Sequence, residues 1–240
     1  MRPGAKTASP AADKAPQTQL LSVVSGRLTP VFIAFEGGDG AGKSLQADLL
    51  ARRLRFEGVA GVAGAPDLVV TREPGGTALG SAIRQLLLHG QDVAAVTEAL
   101  LYAADRAQHV AQVIKPALRA GGVVITDRYV DSSLAYQAAG RGLGVEAVKL
   151  VNDLATGGLV PDITLLLDLP AEQAAGRRAA TGQAPDRLER AGDRFHQAVA
   201  EGYLALAAEA PDRYAVIDAS GTPDQVAELV WAAVSRRAGW

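Results

Sequence analysis

The glycine-rich stretch "FEGGDGAGKS", residues 35–44, contains residue types suited to holding phosphate. Four residues separate Gly37 from the run "GKS", a spacing typical of a phosphate-binding loop. Glycines allow backbone N–H groups to approach phosphate oxygens closely, and the start of the following helix favours an anion. In such a loop the lysine reaches the outer phosphates and the serine hydroxyl holds Mg²⁺. We therefore predict a nucleotide site at Gly37, Gly38, Asp39, Gly40, Ala41, Gly42, Lys43 and Ser44.

A second acid suits the metal that accompanies nucleotide phosphates. Asp127 ends the apolar run "VVITD", the position of the Walker B acid that helps to hold Mg²⁺. On its own, an aspartate at the end of a strand is more often a turn residue. Beside a phosphate loop it becomes a candidate metal ligand, and we predict a Mg²⁺ site with Ser44 and Asp127 as protein ligands.

Basic residues stand where a second anionic substrate could bind. Arg72 and Glu73 come at the end of one predicted strand, and Arg128 at the end of another. Arg106 lies one helical turn after Tyr102 on a predicted helix. The carboxyl ends of parallel strands share one edge of a sheet, so these groups should converge beside the phosphate loop. Each arginine singly could be a solvated surface group, but together they favour a second, phosphate-bearing substrate.

If that second substrate is a phosphate monoester, the chemistry needs no general base. Such a group is mostly ionised near neutral pH, because its second pKa is about 6. The protein then has to hold two polyanions in line and neutralise their repulsion, which Mg²⁺ and arginine do. Switches, motors and partition ATPases also carry a phosphate loop, but they do not need this additional set of arginines.

A charged stretch at 176–194, "GRRAATGQAPDRLERAGDR", is interpreted as a lid. A lid would bring positive charge over the transferring group and exclude water. The alternative is an exposed loop and helix start with ordinary salt bridges. The arginines of this stretch are Arg177, Arg178, Arg187, Arg190 and Arg194.

Alternating strands and helices must position these groups. Near-continuous apolar strands separated by helices indicate a parallel sheet covered on both faces. We predict strands at 31–36, 67–73, 121–129, 162–169 and 214–219, helices at 43–57, 78–88, 96–118 and 145–156, and another helix directly after the charged stretch 176–194. A last helix should begin at a capping box formed by Thr222 and Gln225, with Pro223 at its first position. The result is one three-layer α/β/α domain over 29–240 with a five-stranded parallel sheet.

Composition excludes several other classes of site. The net charge is −2, and no long apolar run is present, so neither a nucleic-acid nor a membrane partner is expected. The chain has no cysteine, which excludes disulfides and thiol catalysis and fits a cytoplasmic location. His89, His109 and His196 lack the spacing of metal ligands. Residues 1–28 are rich in Ala, Pro, Ser and Thr, and are expected to be a disordered tail.

Six motifs together resemble those of bacterial thymidylate kinases, a branch of the nucleoside monophosphate kinases with the P-loop NTPase fold. They are "FEGGDGAGKS", "TREPGGT", "LLYAADRAQH", "DRYVDSSLAYQAAGRG", "PDITLLLDL" and "DRLERAGDRFHQAV", and they occur in the family's order from about residue 30 onwards. The resemblance implies transfer of the γ-phosphoryl group of ATP to dTMP, giving dTDP for dTTP synthesis, with Mg²⁺ and usually in a homodimer.

The resemblance also implies roles for particular residues. Arg72 and Arg128 match positions near the monophosphate, and Arg106 and Ser133 match contacts to the thymine ring. Tyr102 takes the place of an aromatic, commonly Phe, that stacks on the base. The other positions that match the family's pocket are Glu73, Arg84, Tyr136 and Gln137.

Three positions of the resemblance bear on the sugar and on catalysis. Tyr136 stands where a ring would crowd a ribose 2′-hydroxyl, and Asp39 where an acid reaches the 3′-hydroxyl or the metal region. One branch of the family has a catalytic arginine in the phosphate loop, where this chain has Gly40, so the lid must supply the charge. We expect Arg177 and Arg187 to do so, with Lys43, Asp127 and Arg128 completing the catalytic set. Another nucleotide or nucleoside kinase of this fold, and a non-catalytic ATP-binding protein, are the competing interpretations.

Overall fold

The computed structural model describes residues 30–56, 67–180, 182 and 184–238. The expected tail at 1–28 lies outside the described residues, as does residue 57, the predicted end of the first helix.

A five-stranded, all-parallel sheet forms the centre of the fold, in the order β2-β3-β1-β4-β5. Its strands are β1 (Val31–Glu36), β2 (Leu68–Arg72), β3 (Val123–Asp127), β4 (Ile163–Asp168) and β5 (Tyr214–Asp218). In the register of the sheet, Asp127 is paired with Phe35 of β1 on one side and with Arg72 of β2 on the other. The start of the phosphate loop, the predicted metal ligand and a predicted substrate ligand therefore lie side by side at one edge.

Helices cover both faces of this sheet. They are α1 (Lys43–Phe56), α2 (Ala78–His89), α3 (Ala95–His109), α4 (Lys115–Arg119), α5 (Val130–Ser133), α6 (Val145–Thr156), α7 (Ala171–Ala180), α8 (Asp193–Glu209) and α9 (Pro223–Ala238). A π-helical segment, Val110–Ile114, joins α3 to α4, and another, Leu134–Gly140, extends α5. The described helices include none long and apolar enough to cross a membrane.

Alternate residues of the central strand face opposite layers, as a strand that is buried on both faces requires. Ile33 and Phe35 pack in a cluster with residues of α1 and α9, whereas Phe32 and Ala34 pack in a separate cluster with Ile114. All of β1 is buried. This arrangement confirms the predicted three-layer α/β/α fold.

The predicted strands agree with the structure to within two residues at each end. The capping box of the last helix is also present: Thr222 N donates to Gln225 Oε1 at 2.9 Å, and Gln225 N donates to Thr222 Oγ1 at 3.3 Å. Two helical stretches were not predicted, namely α5 with its π-helical extension and α7. Helix α7 includes the first residues of the stretch interpreted as a lid, 176–180, which are therefore helical rather than a loop.

Candidate active site

The phosphate loop connects β1 to α1 and approaches its neighbours very closely at two glycines. Gly37 has φ +133°, and a Cβ there would lie 2.4 Å from Leu167 O. Gly40 has φ +88°, and a Cβ there would lie 2.6 Å from Ala174 O on α7. Any other residue would be strained in both positions and would clash with backbone. The loop is thus held between β4 and α7.

Lys43 begins α1 and lies with its ammonium group over the loop. Its Nζ donates to Gly38 O at 2.7 Å, and its side chain is buried. Burial, with a further contribution from the positive charge of Arg128, lowers the pKa of Lys43 to about 8, against the opposing effects of Asp39 and Asp127. A phosphate placed here would meet a desolvated amine that is still charged at neutral pH.

Ser44 and Asp127 meet as expected for the protein side of a magnesium site. The hydroxyl of Ser44 donates to Asp127 Oδ2. The other carboxylate oxygen, Asp127 Oδ1, is buried and has no hydrogen-bond partner among the described residues. An unsatisfied buried oxygen next to a hydroxyl fits a hard cation, which prefers oxygen ligands. The described residues contain no group of three or more His, Cys, Asp or Glu side chains placed to hold a metal ion. That suits Mg²⁺, which usually takes one or two protein ligands and completes its shell with phosphates and water.

Arg128 stands at the centre of the site in a strained backbone conformation, with φ +73°. Its Nη2 donates to Asp39 Oδ1 at 2.5 Å, and its Nη1 donates to Ser132 Oγ at 3.0 Å. Tyr136 completes the arrangement, because its hydroxyl donates to Asp39 Oδ2 at 2.8 Å. Burial acts to raise the pKa of Asp39, but the positive charges of Arg128 and Lys43 outweigh it and hold the pKa below its ordinary range.

A pocket beside Arg128, called here the acceptor pocket, collects most of the residues predicted to bind the second substrate. Of the ten predicted residues, eight line it and two do not. Its lining residues are Asp39, Glu73, Pro74, Arg84, Leu88, Tyr102, Arg128, Ser132, Ser133, Tyr136, Gln137, Asp186 and Leu188.

The two remaining residues take other places. Arg72 lines the neighbouring cleft described below. Arg106 is fully buried behind the acceptor pocket and is not part of its lining. It donates to Glu73 Oε2 at 2.7 Å and to Ser133 Oγ at 2.9 Å, and it also bonds the side chain of Asn152. In this structure Arg106 therefore holds two lining residues in place.

The stretch "TREPGG" is held by the same helix α3 that carries Arg106. His109 contacts Glu73 Oε1 at 2.8 Å through Nδ1 and Thr71 Oγ1 at 2.7 Å through Nε2. Asp105 accepts from Gly75 N at 3.1 Å. These contacts fix the path of the chain after β2, so that Glu73 faces the acceptor pocket.

A larger cleft of about 640 Å³ adjoins the acceptor pocket and is called the transfer cleft. It contains the phosphate loop and the metal pair, and it shares four lining residues with the acceptor pocket. Its polar and charged lining residues are Asp39, Lys43, Ser44, Arg72, Glu73, Arg84, Asp127, Arg128, Arg177, Arg178 and Glu189. Residues that could hold a nucleotide phosphate and residues that could hold a second anion therefore meet at Arg128.

Two arginines of α7 face the transfer cleft. Arg177 Nη2 donates to Ala219 O at 2.8 Å, and Arg178 Nη1 donates to Asp39 O at 2.7 Å. Arg177 is one of the two lid arginines expected to supply catalytic charge, whereas no catalytic role was predicted for Arg178.

Arg187, the other predicted lid arginine, is not brought to the transfer cleft. Its guanidinium is buried, with Nη2 2.6 Å from Glu98 Oε2 and Nε donating to Leu87 O at 2.8 Å. The buried partner Glu98, which lies far away in sequence, accounts for the position of Arg187 outside the transfer cleft in this structure.

Sequence reasoning also missed Glu36, which binds two of the side chains that hold Arg128. The carboxylate accepts from Tyr129 N at 2.8 Å, from Ser132 Oγ at 2.6 Å and from Tyr203 OH at 2.9 Å. Ser132 and Tyr203 in turn accept from Arg128. Burial and then the negative charge of Asp131 raise the pKa of Glu36 to about 7. The sequence signal that could have identified Glu36 is an acidic residue at the end of an otherwise apolar strand.

Comparisons with known proteins agree on one family. A family model described as "Thymidylate kinase" matches residues 35–230. The thymidylate kinase of Synechococcus sp. (strain JA-2-3B'a(2-13)) is 51% identical over 207 residues, which cover 86% of this chain and 95% of that protein. The thymidylate kinase of Bifidobacterium longum (strain NCC 2705) is 52% identical over 209 residues, covering 85% of this chain and 95% of that protein.

A solved structure gives the same result at the level of the fold. The crystal structure of thymidylate kinase from Ehrlichia chaffeensis aligns with a TM-score of 0.70 at 32% identity. The alignment covers 85% of this chain and 98% of the other. The parallel five-stranded sheet and its flanking helices therefore match the fold of a thymidylate kinase of known structure.

Proposed function

This chain belongs to the thymidylate kinase family and phosphorylates dTMP to dTDP; we propose that it binds ATP–Mg²⁺ in the transfer cleft and dTMP in the acceptor pocket. The observation that carries this proposal is the junction of the two cavities at Arg128, beside Lys43 and Asp127. A donor phosphate on the loop and an acceptor phosphate on Arg128 would face each other there.

The donor side consists of the phosphate loop and α1. Loop N–H groups and the positive end of the α1 dipole bind the ATP phosphates, and Lys43 neutralises the charge that develops on the transferring group. Ser44 and Asp127 hold Mg²⁺, which when bound neutralises phosphate charge. The buried, unsatisfied Asp127 Oδ1 supports this assignment.

The acceptor side consists of groups that suit a pyrimidine deoxynucleotide. Arg128 grips the monophosphate through its forked guanidinium. Tyr102 offers an aromatic face to the base, while Ser133 and Gln137 offer polar atoms from the pocket wall. Tyr136 is anchored to Asp39, which keeps its ring at the sugar side of the pocket and excludes a 2′-hydroxyl.

In the transfer step, an oxygen of the acceptor phosphate attacks the γ-phosphorus of ATP, and the bond from that phosphorus to the bridging oxygen breaks. The nucleophile is already ionised, so the catalytic work is alignment and charge neutralisation. Arg128 orients the attacking group, and Lys43 with Arg177 stabilises the negative charge on the transferring oxygens. We assign the lid contribution to Arg177, which lines the transfer cleft, rather than to Arg187.

The two neighbouring helices α3 and α6 form the surface that we assign to a homodimer. They expose apolar side chains at helical spacing: Val96 and Leu100 on α3, and Leu150 and Leu154 on α6, the last two 72% and 87% exposed. A second copy of the chain is the occupant that fits, because two such faces would bury one another symmetrically. A cytoplasmic location, in line with the absence of cysteine, remains part of the proposal.

An acceptor-specificity assay tests the function directly. Phosphorylation by ATP–Mg²⁺ is measured with dTMP, dUMP, dCMP, dGMP and thymidine as acceptors. We expect dTMP to give the highest kcat/KM, with thymidine inactive because it lacks the phosphate that Arg128 binds. A preference for dCMP or dGMP would instead assign the chain to another nucleoside monophosphate kinase activity.

A further inference from the structure

Glu98 on α3 is a buried carboxylate that connects the base end of the acceptor pocket to the lid. Its side chain is fully buried. It receives Gln137 Nε2 at 3.0 Å on Oε1, Arg141 Nη2 at 3.1 Å on Oε2, and the ion pair with Arg187 at 2.6 Å. Burial acts to raise the pKa of Glu98, but hydrogen bonds from Arg141, Gln137 and Arg187 outweigh it and keep the pKa below its ordinary value. The group is therefore a permanent anion near neutral pH.

An ionised carboxylate can only accept hydrogen bonds, and this fixes the side-chain amide of Gln137. The amide nitrogen must face Glu98, so the amide oxygen is turned the other way. Since Gln137 lines the acceptor pocket, that oxygen is left available to a base in the pocket as a hydrogen-bond acceptor. Thymine carries an N3–H that can donate to such an oxygen, whereas the unprotonated N3 of cytosine is itself an acceptor and would be repelled.

The same carboxylate anchors the segment between α7 and α8, residues 184–192, called here the lid root. Arg187 is the anchor: besides its ion pair with Glu98, its Nε donates to Leu87 O at 2.8 Å and its backbone N to Leu88 O at 3.2 Å. The residues on either side of it, Asp186 and Leu188, line the acceptor pocket. Fixing Arg187 therefore fixes part of the pocket wall and the end of the lid together.

We propose that Glu98 is a positioning residue that sets base choice by orienting Gln137 and, through Arg187, holds the lid root against the acceptor pocket. It touches no substrate itself. The inference rests on the proposed function of the pocket as the dTMP site. It adds to that function the residue that determines whether the base meets the amide oxygen or the amide nitrogen of Gln137.

The test compares kcat/KM for dTMP and dCMP at saturating ATP–Mg²⁺. In Glu98→Gln the new amide can donate or accept, so Gln137 is no longer held one way, and we expect the dTMP to dCMP ratio to fall about tenfold or more. In Glu98→Asp an acceptor-only group remains, and the ratio should stay within about threefold of the wild type. Arg187→Gln keeps the contact between Glu98 and Gln137, so it should lower kcat/KM for both nucleotides by a similar factor.

Arg119→Gln is the control, because Arg119 is exposed on α4 and does not line the acceptor pocket. Its base ratio and its dTMP KM should match those of the wild type. If Glu98→Gln fails to fold, because two guanidinium groups then face one neutral amide, the double variant with Arg187→Gln restores the charge balance and should show the same loss of ratio.

Two results would overturn the inference. One is an unchanged base ratio in folded Glu98→Gln or in the double variant, and the other is an equally large loss of ratio in Glu98→Asp. Failure of the wild-type enzyme to phosphorylate dTMP would instead contradict the proposed function. The activity of the wild type towards dTMP is therefore measured first.

Discussion

Arg128 Nη2 lies 2.5 Å from Asp39 Oδ1, so the arginine assigned to the acceptor phosphate is already paired with an acid of the phosphate loop. The pair joins the two halves of the site, since Asp39 belongs to the donor loop and lines the acceptor pocket as well. An incoming phosphate therefore meets a guanidinium that is held in position by Asp39, Ser132 and Tyr203. Its binding does not require ordering of a free side chain.

Arg128→Ala should reduce kcat/KM for dTMP by about 100-fold, because charge-assisted hydrogen bonds of roughly 1.5–3 kcal/mol each are lost. The KM for ATP should change little. Initial rates with each substrate varied in turn give both values. Arg128→Lys keeps the charge but not the fork and should recover only part of the loss. Equal losses for dTMP and ATP would contradict the assignment of Arg128 to the acceptor.

The pKa of Lys43 predicts how ATP use depends on pH. Because burial lowers this pKa to about 8, the amine is charged below pH 8 and loses its proton as the pH rises through 8. We expect kcat/KM for ATP not to decline on account of Lys43 up to about pH 7, to be reduced by about half at pH 8, and to fall about tenfold per pH unit well above pH 8. In Lys43→Arg, the alkaline fall should disappear in whatever activity remains. A profile that stays flat to pH 10 in the wild type would show that Lys43 keeps its proton.

Asp127→Asn should raise the Mg²⁺ concentration needed for half-maximal activity by about tenfold or more, because the carboxylate charge that holds the cation is lost. Ser44→Ala should have a smaller effect in the same direction, and Ser44→Thr, which keeps the hydroxyl, should have almost none. The measurement is a Mg²⁺ titration at fixed ATP. If Asp127→Asn left the midpoint unchanged, this acid would not be a metal ligand.

Arg177→Ala should lower kcat by about 100-fold with little change in the KM for dTMP, because it removes a positive charge from the lining of the transfer cleft. Arg190→Ala is the control, since Arg190 lies outside the transfer cleft. Arg178→Ala should act by a different route, because Arg178 holds Asp39 O and its loss should raise both KM values. Wild-type turnover in Arg177→Ala would move the catalytic charge to another residue.

Leu154→Arg should convert a dimer into monomers, because it places a charge in the middle of the exposed apolar face on α3 and α6. Light scattering after size-exclusion chromatography gives the molar mass of each variant. Leu229→Arg on α9 serves as control, since Leu229 is also exposed, at 48%, but on another surface. A wild-type chain that runs as a monomer would contradict the homodimer directly.

Sequence reasoning placed the strand-end residues well, for a physical reason. In a parallel sheet all carboxyl ends lie along one edge, so the ends of β1, β2 and β3 could be placed on one side of the sheet once their strands were recognised. That Phe35, Asp127 and Arg72 are direct neighbours depends in addition on the order of the strands. The phosphate loop and the capping box at Thr222 depend on local spacing and were equally accessible. The order of the strands was not predicted, because it depends on how the connections cross the sheet, which no local sequence pattern indicates.

The prediction was weakest where a buried partner lies far away in the chain. Arg187 sits in a run of charged residues that looks solvated, but Glu98, 89 positions earlier, draws it into the interior. Arg106 was expected to touch the base because it matches a family position, yet its bonds to Glu73 and Ser133 put it behind the pocket wall. Helix α7 was missed because Gly176 and the arginines interrupt its apolar pattern.

Gly40 has a consequence for how enzymes of this kind can diverge. A side chain at this position would collide with the carbonyl of Ala174, so the loop and α7 fit together only while position 40 has no Cβ. An arginine placed in the loop would require α7 to move, and with it Arg177 and Arg178. In this chain, therefore, a loop arginine and a lid arginine are alternative sources of catalytic charge, and exchanging one for the other would take coordinated changes at both sites.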